Sequence, residues 1–393
     1  MSEVSLLENP VSKSIGLASI RSPQTKGPTS IPSDWNIVSA DNHYEVTEDI
    51  FYDSFPASMK EKAPRVWFDR HWRIGFPGQL EAFGTSPRVA EILERIMVPN
   101  GFDTRVRNAH LDAEGVRSEI LFPQSLFGFL RHKDLEIREL MYRIYNENLA
   151  KLSIENPGRS YGVAVFSNWW DPAKAESSMQ QIVDLGLKTF VIPFGIKDSD
   201  GREVSLASEK LDRFWSVAES AGLPVNFHIG EDPSSLEGRG AWAANFLYVT
   251  GTFRKPLGQL IFGGVFDRHP RLKIVWSEGG INWIPGALHD AELAFDSYDK
   301  IEPEPIKHRP SYYWHNHCYA TFQSDTLGLE LLKYIGYDRV MWGMDYPHSE
   351  GTFGYSRSAI QSIRDAVSEE QARMILGETA SKLYGLPKRL IDA

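Results

Sequence analysis

Short apolar runs rich in β-branched residues recur along the chain, and amphipathic stretches with helical spacing lie between most of them. Short runs of this kind, bounded by turn residues, are typical of buried strands. The predicted strands cover residues 36–43, 118–122, 161–166, 188–192, 223–228, 272–277, 318–322 and 339–344. The predicted helices cover Leu135–Ile154, Pro172–Leu185, Ala207–Ala221, Ile284–Asp296 and Thr326–Ile335. Eight strands alternating with helices predict an α/β protein built as a (β/α)8 TIM barrel, although a doubly wound open sheet would also alternate.

Two stretches do not fit this alternation. Residues 1–33 are rich in Ser, Pro, Gly, Lys and Thr without periodicity, which predicts an irregular N-terminal arm. Residues 49–110, after the first strand, are rich in aromatic rings such as Trp67 and Trp72. These rings fit two interpretations, a lid-like insertion at the mouth of a site or simple packing onto the barrel. The predicted barrel spans residues 34–386 with 49–110 inserted, and residues 387–393 form a C-terminal tail.

Residues able to bind a metal follow four of the predicted strands directly. Asp41 and His43 end the first strand, and a period of two places both on one face. His228 ends the fifth strand, Glu278 follows the sixth, and Asp345 follows the eighth. Singly, each residue also fits the capping of a following loop or helix. In a barrel the carboxyl ends of the strands converge on one mouth, so five such residues together predict a metal site.

Composition narrows the possible partners and ligands. Hydrophobic residues make up 42% and charged residues 24% of the chain, as in an ordinary globular protein. The net charge of -10, with no run of Lys or Arg, argues against nucleic acid and anionic membranes as partners. The single cysteine, Cys318, excludes a disulfide framework and a cysteine-rich metal site, so His and carboxylate groups must supply the ligands. Since no signal peptide or membrane-length apolar run is visible, we expect a cytoplasmic protein.

Four motifs carry a resemblance to a known family. They are Ser39–Tyr44, Gly264–Pro270, Ser277–Pro285 and Met341–Glu350. Through them the chain resembles the metal-dependent amidohydrolase superfamily, in its aminocarboxymuconate semialdehyde decarboxylase-like branch (amidohydrolase-related family 2). The resemblance implies a (β/α)8 barrel whose mouth holds a divalent metal on Asp41, His43, His228 and Asp345.

The chain departs from that family at two positions. The decarboxylases that it resembles have a catalytic His at the end of the sixth strand, where this chain has Glu278. The first strand has Asp41 in place of the first His of a His-x-His motif, and a further carboxylate, Glu45, follows. Because oxygen ligands favour manganese or iron, with zinc still possible, we expect one or two divalent ions of those kinds.

These residues predict hydrolysis of an amide, ester or thioester. A metal-bound water of lowered pKa would attack the carbonyl group, and Asp345 would take the proton of that water. Glu278 fits three roles: a ligand of a second metal, an orienting partner of His228, or a substrate contact. The alternative is a nonheme diiron monooxygenase on the same barrel, a kind of protein also found in this branch. Nonoxidative decarboxylation ranks third, because the catalytic His is replaced.

Three further residues are candidates for binding the substrate. His348 lies three residues after Asp345, in a loop over the same mouth. A loop histidine bonded to the backbone is an equally good interpretation of it. Trp169 and Trp170 follow the third strand and would form an apolar wall, although packing under the next helix explains them equally well. Since the sequence has no Walker or Rossmann motif, we expect no nucleotide cofactor and a small, apolar organic substrate. The resemblance and the N-terminal arm predict a homodimer or larger homo-oligomer.

Overall fold

The computed structural model describes residues 30–69, 71–76, 98, 101–124, 126, 134–196, 202–230, 238–348 and 350–387. Its strands are, in chain order, β1 (Val38–Tyr44), β2 (Arg65–Asp69), β3 (His71–Gly75), β4 (Ser118–Pro123), β5 (Ser160–Gly162), β6 (Ala164–Val165), β7 (Phe190–Val191), β8 (Val225–His228), β9 (Ile274–Ser277), β10 (Cys318–Phe322) and β11 (Val340–Trp342). All of these except β2 and β3 pair in parallel with their neighbours, in the orders β1-β4-β5 and β6-β7-β8-β9-β10-β11.

The two groups of strands are continuous, because β5 and β6 are two pieces of one barrel strand on either side of Val163. The Val163 N–H donates to the carbonyl of Leu121 at 2.8 Å, and the Ala164 N–H donates to the carbonyl of Thr189 at 3.0 Å. The strand therefore changes its hydrogen-bonded neighbour at this point. Counted in this way, eight strands surround the core, and the predicted α/β class and (β/α)8 barrel are confirmed.

The first and last barrel strands meet in a contact that we call the seam, formed by β1 and residues 343–346 after β11. The Asp345 N–H donates to the carbonyl of Asp41 at 2.7 Å, and the His43 N–H donates to the carbonyl of Tyr346 at 2.7 Å. Gly343 permits this approach, because a Cβ atom there would lie 2.6 Å from the Cβ of Asp41. The seam closes the barrel and excludes the open sheet.

Helices surround the barrel on the outside. They are α1 (Ile50–Ser54), α2 (Thr104–Glu114), α3 (Leu135–Glu155), α4 (Ala175–Asp184), α5 (Asp212–Ala221), α6 (Ala241–Val249), α7 (Arg254–Phe262), α8 (Val265–Arg268), α9 (Trp283–Tyr298), α10 (Pro310–His317), α11 (Thr326–Glu330), α12 (Leu332–Ile335), α13 (Ser356–Ala366), α14 (Glu369–Arg373) and α15 (Thr379–Leu383). Asp103 and Asp134 begin α2 and α3 by accepting two backbone N–H groups each, which satisfies donors that the helix itself leaves unpaired.

The predicted arm, insertion and tail are described only in part. Residues 1–29, 77–97 and 388–393, which fall in these three segments, lie outside the described residues. Within the insertion, β2 and β3 form an antiparallel hairpin. Helix α2, at its end, is fixed to the barrel through the buried side chain of Arg107. Within the described ranges, no helix is both long and apolar enough to cross a membrane.

Candidate metal centre

The structure brings together six side chains at the carboxyl ends of the barrel strands. We call them the mouth cluster: Asp41, His43, His228, Glu278, Asp345 and His348. They form two overlapping sets of four, in each of which the possible ligand atoms lie within 4.8 Å of one another. Asp41 and His228 belong to one set, Asp345 and His348 to the other, and both sets share His43 and Glu278. The five strand-end residues singled out by the sequence thus lie close together, and His348 lies beside them.

In two histidines of the cluster, the backbone holds the Nδ1 atom of the ring. His43 Nδ1 lies 3.2 Å from the carbonyl oxygen of Pro123, and His228 Nδ1 lies 2.8 Å from that of Ile229. A carbonyl oxygen only accepts hydrogen bonds, so each Nδ1 carries a proton, and the lone pair that a metal can bind is that of Nε2. Both Nε2 atoms point into the cluster.

The carboxylate oxygens face these lone pairs. Glu278 Oε2 lies 3.1 Å from His228 Nε2 and 3.3 Å from His43 Nε2. Asp41 Oδ1 lies 3.3 Å from His228 Nε2, and Asp345 Oδ1 lies 3.4 Å from His43 Nε2. Nitrogen and oxygen atoms gathered at these distances are the donors that a cation between them would bind. In addition, Asp345 Oδ2 is buried without a hydrogen-bond partner among the described residues. The donor set therefore fits a divalent metal with nitrogen and oxygen ligands.

Charge within the cluster is distributed unevenly in the metal-free protein. Burial, followed by the charge of His348, lowers the pKa of His43 to about 4, which keeps its ring neutral and able to bind a metal. Burial, followed by Asp345 and Asp41, raises the pKa of Glu278 well above its ordinary value. For His348, burial lowers the pKa, but the Asp345 carboxylate more than reverses this effect and raises the pKa to about 9. His348 is thus the positive group of the cluster.

His348 connects the cluster to its surroundings. Its Nδ1 donates to Asp345 Oδ1 at 2.8 Å, and its Nε2 lies 2.8 Å from Gln124 Oε1. The His348 ring also lies 4.1 Å from the ring of His43, between centroids. Gln124 immediately follows β4, so the strand-end rule that found the other residues could have found this one as well.

The backbone is strained at two cluster residues. Glu278 has a φ of 67° and Asp345 a φ of 56°, the left-handed region that residues other than glycine seldom adopt. The hydroxyl of Thr321, on β10, accepts the Glu278 N–H at 2.7 Å and donates to Asp41 Oδ2 at 2.7 Å. Thr321 thereby fixes a side chain and a strained backbone together. No sequence pattern indicates this role, because threonine is common in strands.

A buried ion pair supports β1 from behind. The Arg107 guanidinium binds both carboxylate oxygens of Glu119, at 2.7 to 3.0 Å, and donates to the carbonyl of His43 at 2.9 Å. Asn42 donates to Glu119 Oε2 at 2.6 Å and accepts the N–H of Tyr346 at 2.9 Å. The network ties α2, β1, β4 and the seam to one another, and so orients the strand that carries Asp41 and His43. Sequence reasoning missed it.

The remaining candidates have other contacts in the structure. Trp169 and Trp170 pack against Arg138, whose guanidinium carbon lies 5.1 Å and 3.8 Å from the two rings. Glu45 is buried, and its Oε1 accepts the N–H of Val46. His317 lies at the other end of the barrel, at the start of β10, where its Nδ1 donates to the carbonyl of Leu272.

Comparison with known proteins connects this geometry to a group of enzymes. A family model described as amidohydrolase matches residues 99–386. The 2-amino-3-carboxymuconate-6-semialdehyde decarboxylase of Dictyostelium discoideum is 23% identical over 289 residues, which are 73% of this chain and 78% of that protein. The gamma-resorcylate decarboxylase of Rhodococcus jostii is 26% identical over 261 residues, which are 62% of this chain and 76% of that protein.

Solved structures share the fold. One is a dihydroxybenzoic acid decarboxylase from Polaromonas sp. JS666 with bound manganese and the inhibitor 2-nitroresorcinol. It is similar with a TM-score of 0.66 at 18% identity, and the match covers 89% of this chain and 97% of that one. Manganese, one of the metals predicted from the oxygen ligands, is thus bound on this fold, whereas iron gains no support from these proteins.

These relatives correct the function predicted from the sequence. They are described as decarboxylases, so the hydrolase prediction and its alternative, a diiron monooxygenase, are wrong. The error has a physical source. The ligand types decide which ion is held, whereas the bond that breaks depends on where the substrate lies and which group supplies a proton. The replacement of one His by Glu278 therefore does not exclude decarboxylation.

Proposed function

The chain belongs to the amidohydrolase family, and from this premise we propose that it is a metal-dependent decarboxylase that removes CO2 from an aromatic carboxylic acid without oxidation. The observation that carries the proposal is the pairing of a metal-binding cluster with a proton-bearing group, because the Asp345–His348 hydrogen bond of 2.8 Å lies within that cluster. The decarboxylases among the relatives support the reaction class.

Asp41, His43, His228, Glu278 and Asp345 are the residues that would hold the metal, and the manganese of the Polaromonas structure supports manganese as that ion. When bound, a divalent ion orients the oxygen atoms of the substrate and stabilises the negative charge on them. Glu278 occupies the position at which the resembling decarboxylases have a His, and its Oε2 contacts both imidazoles. We assign it to metal binding, while proton transfer is assigned to other residues.

Loss of CO2 from an aromatic ring requires a proton at the carbon that carries the carboxylate. In the proposed sequence, the Asp345–His348 pair gives its proton to that carbon, and the bond between the ring and the carboxylate then breaks. CO2 leaves, and the bonding electrons restore the aromatic ring, so that hydrogen replaces the carboxylate. The pair regains its proton from solvent through His348, whose side chain is 15% exposed, whereas Asp345 is fully buried.

The surroundings of the cluster suggest how the substrate is enclosed. We propose that Trp169 and Trp170 form part of an apolar wall and that residues 49–110 act as a lid. The wall is supported by the position of the indoles after β6, at the carboxyl end of a barrel strand, and by the contact of both rings with Arg138.

The proposal is tested with manganese-loaded protein, without oxygen, in D2O. A panel of hydroxybenzoates that includes 2,6-dihydroxybenzoate should release CO2 and give products with one deuterium at the former carboxylate position. The His348→Phe variant should retain its metal but lose roughly 10²-fold in turnover, because a positioned proton donor contributes at least that much. The His228→Ala variant should lose both metal and turnover.

Two results would contradict the proposal. One is that no acid of the panel loses CO2 and that the corresponding phenols do not exchange ring hydrogen for deuterium. The other is that CO2 is released only when oxygen is present. The exchange experiment is informative even for a poor substrate, since exchange requires only the proton transfer.

A further inference from the structure

The mouth cluster contains more ligand atoms than one ion needs. The first of its two overlapping sets consists of Asp41, His43, His228 and Glu278. Two imidazoles and two carboxylates are enough to hold one divalent ion. Asp345 and His348 lie outside this set and form the second one together with His43 and Glu278. These two residues are therefore donors for a second ion beside the first.

Glu278 can serve both ions, because its two carboxylate oxygens face different members of the cluster. Its Oε2 lies 3.1 Å from His228 Nε2, in the first set, and its Oε1 lies 4.0 Å from His348 Nδ1, in the second. In two-metal sites the ions lie about 3.5 to 4 Å apart, a span that one carboxylate can bridge. His43 serves only one ion, because its Nδ1 is bound to a backbone carbonyl. The second position thus has Asp345, His348 and Glu278 as its ligands.

The ring of His348 is held in the way that suits a metal ligand. Its Nε2 lies 2.8 Å from Gln124 Oε1, an amide oxygen that accepts a proton donated by that nitrogen. Its Nδ1 faces the cluster, 2.8 Å from Asp345 Oδ1. Metal-binding histidines are commonly fixed by such an acceptor on the second ring nitrogen. Asp345 Oδ2, buried without a hydrogen-bond partner among the described residues, is a further donor atom at this position.

The charge of the cluster leaves room for a second cation. When they are ionised, the carboxylates of Asp41, Glu278 and Asp345 carry more negative charge than one divalent ion neutralises. The proton that His348 donates to Asp345 balances the excess while the second position is empty. A second ion would take the place of that proton.

The second position is also the more accessible of the two. The side chains of His348 and Glu278 are 15% and 8% exposed. Residues of the first set are at most 2% exposed in the case of Asp41, His43 and His228. An ion from solvent therefore reaches the second position without displacing the first ion.

We propose that Asp345, His348 and Glu278 form a second, weaker site for a divalent metal ion, and that filling this site inhibits the enzyme. The inhibition rests on the decarboxylase function proposed above, in which the Asp345–His348 pair gives the proton. A ring nitrogen that binds a metal has released its proton to solvent, so the bound ion and the proton donor exclude each other. The site is the weaker one because its ion must displace this proton.

The test counts manganese ions on the full chain. Protein freed of metal with EDTA is dialysed against buffers of increasing free manganese, and the bound metal is measured by elemental analysis and by electron paramagnetic resonance. The wild type should bind one ion per chain at low free manganese and two at millimolar concentration. As the second ion enters, the hyperfine lines of the first should broaden, because two manganese ions at this separation are magnetically coupled.

Two variants locate the second ion. His348→Phe should keep the first ion with its sharp hyperfine lines, which also shows that the variant is folded. Its affinity for the second ion should fall by more than the roughly 10- to 100-fold that follows loss of a supporting group, because a ligand itself is removed. His289→Phe is the matched control, since His289 is an exposed histidine on α9, and this variant should bind two ions like the wild type.

Turnover is followed at the same manganese concentrations. Release of CO2 by the wild type should fall as the second ion binds, with half of the loss at the free manganese that half-fills the second site. It should recover when the free manganese is lowered until only the first ion stays bound.

Different results would overturn the two parts of the proposal. A single bound ion at every manganese concentration, or a second ion that His348→Phe binds as tightly as the wild type, would exclude the site. Turnover that stays constant or rises as the second ion binds would exclude the inhibition. If no acid is decarboxylated at all, the decarboxylase function and the inhibition both fail, whereas the ion counts still decide whether the site exists.

Discussion

At the scale of single residues, the mouth cluster is organised by hydrogen bonds that are made outside it. Backbone carbonyls fix the proton of His43 and of His228 on Nδ1, so that both Nε2 atoms are ready to bind a metal. Thr321 and Gln124 orient Asp41 and His348 in the same way. The metal affinity of the centre is therefore a property of these supporting groups as well as of the ligands.

The first prediction concerns two histidines. His228→Ala should lower the affinity for manganese by more than the roughly 10- to 100-fold that follows loss of a supporting group, and so lower the bound metal at equal free manganese, because it removes a proposed ligand itself. His317→Ala should leave the metal content unchanged, since that ring is stacked on Phe266 at the other end of the barrel. Metal analysis of the two purified variants tests this prediction. Equal metal content would show that the metal site is assigned to the wrong end of the barrel.

The second prediction concerns Glu278 in the presence of a chelator. Burial and then the carboxylates of Asp345 and Asp41 raise the pKa of Glu278, so the wild-type protein loses stability as pH rises from about 4.5 and the proton leaves. Glu278→Gln has no such proton to lose. The free energy of unfolding of Glu278→Gln, relative to that of the wild type, should therefore increase with pH. The total increase should be about 1.4 kcal/mol for each unit by which folding raises the pKa of Glu278.

Urea unfolding in EDTA at a series of pH values measures this difference. His43, whose pKa is lowered to about 4, destabilises both proteins alike as pH falls and so cancels in the comparison. With manganese present, the wild type should be the more stable of the two proteins, because the variant has lost a negative ligand. A difference in stability that stays constant with pH would refute the prediction.

The strand-end rule explains what could be predicted at this scale. Asp41, His43, His228, Glu278 and Asp345 stand in the sequence directly after apolar runs, so the barrel hypothesis alone brought them together. Arg107 and Thr321 could not be found in this way. Their roles depend on which helix or neighbouring strand packs behind the site, and a single sequence contains no local sign of that contact.

At the scale of elements, the alternation of strands and helices predicted positions better than lengths. The predicted strand at residues 188–192 is reduced to β7, Phe190–Val191, and the predicted strand at 161–166 is divided at Val163. Apolar runs indicate burial, whereas the length of a strand depends on how far its neighbours run beside it. Helix α3 agrees closely with its prediction, because a long amphipathic pattern capped by Asp134 determines its own bounds.

The third prediction concerns the seam. In Gly343→Ala the new Cβ would lie 2.6 Å from the Cβ of Asp41, so β1 and the segment after β11 must move apart. We expect the free energy of unfolding to fall by about 1 to 3 kcal/mol, with weaker metal binding as well, because Asp41 is displaced. Gly258→Ala in α7 is the control, since nothing lies within 4 Å of its Cβ and alanine favours a helix.

Thermal unfolding with and without manganese measures both effects. The control variant should be at least as stable as the wild type and should bind the metal equally. If Gly343→Ala matched the control in both measurements, the close approach at the seam would have no energetic importance.

At the scale of the whole molecule, the barrel could be predicted from the sequence but the reaction could not. A (β/α)8 barrel with a metal at its mouth supports many reactions, and the same ligands occur with several of them. The choice among them depends on the proton donor, here assigned to the Asp345–His348 pair, and on the shape of the pocket above the metal. The ligand motifs contain no information about the proton donor or about the shape of the pocket.

The fourth prediction concerns association. The sequence predicts a homo-oligomer, and α6 exposes three consecutive large apolar side chains, Phe246, Leu247 and Tyr248, the second of them 77% exposed. We expect light scattering to give a multiple of the chain mass of 44.5 kDa, and Leu247→Glu to shift it towards a single chain. Ile154→Glu, at a similar exposure of 76% on α3, should have no effect. A single-chain mass at all concentrations would refute the prediction.

The seam also has a consequence for the synthesis of the protein. Asp41 and Asp345 meet across 304 positions of the chain, and the proposed ligands His228 and Glu278 leave the ribosome between them. A nascent chain therefore carries an incomplete set of ligands until nearly all of the barrel has emerged, and contacts of such long range form late. We expect the ion to enter after translation, and a chain that stops before Asp345 to remain without it. Metal uptake would thus distinguish finished molecules from unfinished ones inside the cell.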